Sequence, residues 1–215
     1  MQKFICLLLL LLPLSAMASL SADSIEARIL RQGVARRQPA ETVEAFVRRV
    51  LPVSCPTDDP SQIIQYAWRP SAFGKQLFLS AYDPQEPYRL YVLMLDPYQP
   101  GTYAVERWDA ALPISDQPSL QAIFFADANQ DGRKELLVLV NSSSREPVTI
   151  DGISQYGHFS HYHTRLFGYL PTINGQRPRY QELPDRPDLD DLRTAAEVRE
   201  VLSWRRPSGR RRLLR

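Results

Sequence analysis

The densest set of chemically competent residues is Asp127-Ala128-Asn129-Gln130-Asp131-Gly132-Arg133-Lys134-Glu135, with oxygen-bearing side chains at positions 1, 3, 5 and 9 and glycine at position 6. Hard divalent cations such as calcium take six to eight oxygens, and alternate side chains of a tight loop converge only where glycine permits a sharp turn. Asp127, Asn129, Asp131 and Glu135 would supply four ligands, the Arg133 backbone carbonyl a fifth, and water the rest. Three carboxylates around Ca²⁺ leave a small net charge; without an ion they repel one another. An EF-hand would place glutamate at position 12, but Val138 stands there. Ile123-Phe124-Phe125 and Leu136 to Val140 flank the loop as apolar runs that read as strands, so the spacing predicts a strand-loop-strand site. The competing reading is a metal-free hairpin turn, because Asn, Asp and Gly dominate turns in any case.

All three histidines fall in Gly157-His158-Phe159-Ser160-His161-Tyr162-His163. On a strand, His161 and His163 share a face about 7 Å apart, a spacing from which two imidazoles hold zinc or copper given a third ligand. His158, His161 and His163 are therefore candidates for a second metal site or a partner surface; plain hydrogen-bonded packing competes. Cys55 lies in Pro-Val-Ser-Cys-Pro-Thr without the surroundings of a catalytic thiol. Gly-x-Ser-x-Gly, a phosphate-cradling glycine loop and His-Glu-x-x-His are all absent from the sequence. Asp83, Glu86 and Glu182 are the carboxylates that would have to pair across a cleft for glycoside hydrolysis. Tyr98, Trp108, Tyr156 and Tyr162 are the aromatics placed for carbohydrate or protein contact. No catalytic residue is assigned.

The pattern Asp127, Asn129, Asp131, Gly132, Glu135, Leu136 resembles the FG-GAP or integrin-type calcium hairpin, over about twenty residues. In the repeat families several copies of this hairpin build a β-propeller. One copy and no fixed-period repeat are visible here, so the propeller is not implied. Single-domain exported bacterial proteins with one such loop are a looser similarity, and some of those look like inhibitors or immunity proteins against lysozyme-like cell-wall hydrolases. The resemblance implies a non-catalytic role and names no inhibitory residue.

Positioning the loop requires a sheet. Runs rich in aromatic and β-branched residues, broken by proline, glycine and asparagine, predict strands at 63–68, 76–82, 88–95, 102–108, 120–126, 135–141 and 161–170. Leu90, Val92 and Met94 line one face of 88–95 while Tyr91, Leu93 and Leu95 line the other, which predicts a central strand. Asp-Pro-Tyr-Gln-Pro-Gly after Leu95 reads as a hairpin loop. Helices are expected from Asp23-Ser24-Ile25-Glu26 to Gly33, over Val43, Phe46, Val47, Val50 and Leu51, and from Asp188 onward. In the last of these, acids crowd the first turn and Leu189, Leu192, Ala196, Val198, Val201 and Leu202 give the apolar side. The expected fold is α+β, mainly β: one antiparallel sheet of about seven strands with helices near both ends of the mature chain.

The ends carry different signals. Lys3, an apolar run from Phe4 to Leu14 and Ala16-Met17-Ala18 make a cleavable export signal over 1–18, too short to span a bilayer. With Cys6 removed, Cys55 is the one remaining cysteine, free or bonded to another molecule. Residues 19–204 read as a single domain, and 205–215 as a flexible basic tail with six arginines and no acid. The span 19–204 therefore holds 19 bases against 24 acids, net −5. Arg205 to Arg215 would allow contact with a polyanion or a membrane surface; no specific nucleic-acid recognition and no transmembrane segment are expected. Taken together, the residues predict a secreted or periplasmic calcium-binding protein that acts on a protein partner as a binding or inhibitor module. The alternative is an exported zinc hydrolase using His161 and His163.

Overall fold

The computed structural model describes residues 28–51, 63–82, 86, 89–110, 116–150 and 153–204. The export signal, Cys55, Asp83 and the basic tail lie outside the described residues. Among the described residues, nine strands form two antiparallel sheets. The first has the order β1 (Val34–Arg36), β5 (Thr102–Asp109), β4 (Leu90–Gln99), β3 (Gln76–Tyr82), β2 (Ile64–Tyr66). In the second the order is β6 (Asp116–Ala126), β7 (Glu135–Ile150), β8 (Ile153–Tyr169), β9 (Tyr180–Glu182). This corrects the expectation of one sheet of about seven strands. β1 and β9 are three residues each, too short to carry a periodic pattern, and nothing in local sequence says that β6 leaves the first sheet.

Three apolar layers hold the sheets and helices together. Helix α1 (Val43–Val50) turns Phe46, Val47 and Val50 onto Leu77, Leu79, Leu93, Leu95 and Val105 of the first sheet. Between the sheets, Phe78, Val92 and Met94 meet Leu136, Val138, Val140 and Phe167. On the far side of the second sheet, Leu137, Leu139 and Leu166 pack with Leu189, Val198 and Leu202 from the C-terminal segment. The order is helix, sheet, sheet, helix. A strand between two covered faces must be apolar on both, and β4 is: Leu90, Val92 and Met94 face the second sheet, Leu93 and Leu95 face α1.

Local signals explain the ends. Gly33, at φ 61°, stops the helical residues 28–32, its N–H donating to the Ile29 carbonyl at 2.7 Å. Thr42 caps α1 through a bond from the Ala45 N–H. Helix α2 (Ala195–Trp204) starts seven residues later than Asp188 suggested. The reason is a capping box: the Thr194 hydroxyl accepts the Glu197 N–H at 3.2 Å, and Glu197 Oε2 accepts the Thr194 N–H at 3.0 Å. Residues Pro187–Leu189 form only a 3₁₀ turn, and Asp191 at φ 59° interrupts the path to α2. Among the described residues, no helix is long and apolar enough to cross a membrane.

Candidate functional site

The loop singled out from the sequence joins two strands. β6 and β7 pair through Phe124 with Leu137, Phe125 with Leu136, and Ala126 with Glu135, so the turn between them is Asp127 to Lys134. Gln130 at φ 62° and Gly132 at φ 88° reverse the chain. The candidate ligands bond inward to the loop backbone. Asp127 Oδ2 accepts the Gly132 N–H at 3.0 Å, Asn129 Oδ1 the Asp131 N–H at 2.9 Å, and Asp131 Oδ1 the Arg133 N–H at 2.8 Å. Glu135, 3% exposed, accepts the Ala128 N–H at 2.6 Å.

Two features of this loop are electrostatically unsatisfied. Asp127 Oδ1 is buried without a hydrogen-bond partner. Burial pushes the Glu135 carboxyl above the usual carboxylate range; the Ala128 and Asn129 N–H groups draw it back, and the charges of Asp131 and Asp127 raise it further. As the side chains stand, among the described residues no group of three or more His, Cys, Asp or Glu is arranged to hold a metal ion. The carboxylates are instead spent on backbone N–H groups. An all-oxygen set with one buried, unpartnered oxygen nonetheless fits calcium in kind.

The histidines have separate partners. His161 Nε2 lies 2.8 Å from Glu146 Oε1 and 3.0 Å from Ser144 Oγ. His163 Nδ1 lies 3.0 Å from Asp190, and His158 Nε2 accepts from Arg145 Nε at 3.2 Å. Ser144, Glu146 and His161 are residue types that form catalytic triads, but the geometry differs. A triad uses one imidazole nitrogen for the hydroxyl and the other for the carboxylate. Here one nitrogen faces both, and the Ser144 hydroxyl donates directly to Glu146 at 2.7 Å. The Ser144 hydroxyl, then His161, holds the Glu146 carboxyl below its ordinary value.

The remaining candidates scatter. Glu182 pairs with Arg165, and Glu86 with Arg89, in different parts of the fold. Of the four aromatics proposed for contact, Tyr156 is the exposed one; Trp108 and Tyr162 are partly buried against the core.

No family model, curated protein or solved structure matches this chain.

Two features escaped the sequence reading. The first is a buried polar network. Arg69 grips Asp96 with two guanidinium nitrogens, while Gln76 Nε2 and the Tyr180 hydroxyl also donate to that carboxylate. Gln76 Oε1 accepts the Trp68 N–H at 2.8 Å, and Trp68 Nε1 donates to the Lys134 carbonyl at 2.7 Å. The hairpin is thereby tied through Trp68 to both sheets. Asp96 is not in the expected loop: it pairs with Ala104 inside β4, and the hairpin turn narrows to Pro100-Gly101.

The second is a projecting ribbon. β6 stops pairing with β7 at Ser143, and β9 reaches only Phe167 to Tyr169 of β8. From Ser144 to Ile150 and Ile153 to Phe159, β7 and β8 pair only with each other among the described residues. Ile153 is 70% and Tyr156 75% exposed, and Phe159 is also exposed. Phe159 folds across Gly157, where an added Cβ would sit 3.0 Å from its ring, so this glycine gives the aromatic its seat. In Ile-Ser-Gln-Tyr-Gly-His-Phe-Ser the large apolar residues Ile153, Tyr156 and Phe159 recur every third residue instead of every second, so the segment lacks the alternation that marks a strand.

Proposed function

We propose that this protein is an exported, calcium-stabilised binding module that engages a protein partner without catalysing a reaction, with a cell-wall hydrolase as the partner class the hairpin resemblance favours. The observation that carries this reading is the ribbon. An isolated two-stranded hairpin is marginally stable in water. This one leaves backbone edges unpaired and large apolar side chains in solvent, which are the features by which sheets take up a partner. The serine-histidine-glutamate geometry and the dispersed carboxylates favour binding over hydrolysis.

Calcium enters this reading as structure. Asp127, Asn129, Asp131 and Glu135, with the Arg133 carbonyl, would hold it at the hairpin turn, where it supplies charge to offset three carboxylates. The side chains would have to exchange backbone N–H bonds for the ion. The test is inhibition of peptidoglycan lysis by a panel of purified cell-wall hydrolases, using the parent and a Tyr156→Ala/Phe159→Ala variant. Inhibition of at least one enzyme, weakened about tenfold or more in the variant, is expected, a loss of about 1.4 kcal/mol. Inhibition by neither protein, or equally by both, contradicts the ribbon's role.

A further inference from the structure

Beside the hairpin turn lies a cleft of about 1010 Å³, open to solvent, whose walls come from three segments: 67–75 between β2 and β3, 132–134 of the turn, and 169–174 after β8. Its charged lining is Arg69, Lys75, Arg133 and Lys134, with no aspartate or glutamate. Arg69 is neutralised by Asp96. Lys134 Nζ donates to the Tyr66 hydroxyl at 2.8 Å, which holds the ammonium without cancelling its charge. Lys75 and Arg133 are exposed, and among the described residues neither pairs with a carboxylate. Three uncancelled cations thus face one cavity in a body whose net charge over 19–204 is −5. A cleft lined by one sign of charge concentrates field and attracts the opposite sign.

We infer that this cleft is a second binding site, specific for an acidic polypeptide segment. The lining separates an acidic peptide from an acidic glycan. Sugar rings bind by laying their C–H faces on open aromatic rings, and Trp68 offers none: it is 4% exposed, stacked on Tyr180 with centroids 5.8 Å apart and met edgewise by Tyr169 at 5.4 Å. The exposed polar lining is Lys75, Arg133, Lys134 and the amide of Asn174, with Ser71, Thr172 and Tyr169 half-buried beside them, a set dominated by cations that suits carboxylates on a flexible chain. The site lies at the opposite end of β7 from the ribbon tip, whose sixteen residues span roughly 50 Å. Arg133 and Lys134 come from the candidate calcium turn, so ordering that turn also orders two of the three cations.

The test is fluorescence anisotropy of a labelled hexaglutamate peptide with the purified protein, in calcium and in EDTA, against Lys75→Glu and Arg133→Glu. Arg28→Glu, an exposed change on the α1 side of the first sheet, controls for net charge. An oligogalacturonate of matched charge is the competing probe. Binding should weaken about tenfold or more for each cleft variant and stay within about twofold for Arg28→Glu. It should also fade as salt rises from about 0.1 M to about 1 M, where the screening length falls from about 10 Å to about 3 Å. No peptide binding, equal weakening by Arg28→Glu, or binding of the uronate chain in place of the peptide would overturn the assignment. Charge-dependent binding that is the same in EDTA supports the cleft while counting against the calcium reading.

Discussion

Glu135, the first residue of β7, accepts the backbone N–H of Ala128 from across the turn at 2.6 Å, closing the hairpin with a carboxylate that solvent barely reaches. A buried acceptor of this kind serves the loop in two ways. It satisfies a backbone donor that would otherwise be orphaned, and it places a third negative charge beside Asp127 and Asp131. The first role needs only an oxygen; the second makes sense if a cation arrives.

Replacing Glu135 with glutamine separates those roles, because the amide keeps the oxygen and loses the charge. In EDTA the variant should be at least as stable as the parent, and in calcium less stable. Urea unfolding at equal slope reads the difference. A parent that is more stable than the variant by the same margin in both conditions would show that the charge has no cation to meet.

The same residue sets a pH dependence for the metal-free protein. Its folded-state carboxyl lies above its unfolded value, so its stabilising contribution is complete at pH below the unfolded value and is lost as pH rises through the folded one. Glu41 runs the other way. Its hydrogen bond with Arg49 lowers it to about 2, so its contribution is present above the unfolded value and disappears as pH falls toward about 2. Melting curves in EDTA should show Glu135→Gln gaining on the parent as pH rises above the ordinary glutamate value of about 4.3; a difference that stays flat as pH rises contradicts the burial argument.

Trp68 is the joint of the molecule. Its ring touches Phe78, Trp108, Phe125, Tyr169 and Tyr180, and its N–H holds the Lys134 carbonyl. Trp68→Ala should cost about 3–5 kcal/mol, measured by chemical denaturation. Trp68→Phe, which keeps most of the packing and drops the Lys134 bond, should cost less than half of that.

Asp96 is fully buried with Arg69 as its counterion. Asp96→Ala strands the guanidinium and should cost about 3–5 kcal/mol, whereas Arg69→Met with Asp96→Leu should recover part of the loss, because the apolar pair needs no desolvation of charge while the Tyr180 hydroxyl and Gln76 amide still lose their acceptor. If the double variant is as unstable as the single one, the network does more than satisfy itself.

The two-faced apolar pattern of Tyr91 to Leu95 placed β4 centrally between covered faces, and the flanks of Asp127 to Glu135 were strands as read. Local pattern carries such information because one residue's neighbours in sequence decide which side it faces. The division into two sheets was not legible, since the partner of a strand is chosen by long-range packing. Asp96 was misread for the same reason: a charge followed by proline looks like a turn until Arg69, from 27 residues earlier, is placed against it. The late start of α2 is written in Thr194-Ala-Ala-Glu197, a capping signal stronger than that of Asp188, Asp190 and Asp191 upstream.

Thermal unfolding of the protein in EDTA and across a calcium series, with Asp131→Ala alongside, tests calcium binding at the hairpin most directly. A ligand that binds only the folded state stabilises by about 2.7 kcal/mol at one hundred times its dissociation constant, a rise of several degrees for a domain of this size. The account predicts that rise in the parent, reached by millimolar calcium, and its absence in Asp131→Ala. A folded parent whose melting temperature is unchanged from EDTA to several millimolar calcium would contradict it, leaving Asp127 to Glu135 as an ordinary turn closed by its own backbone hydrogen bonds.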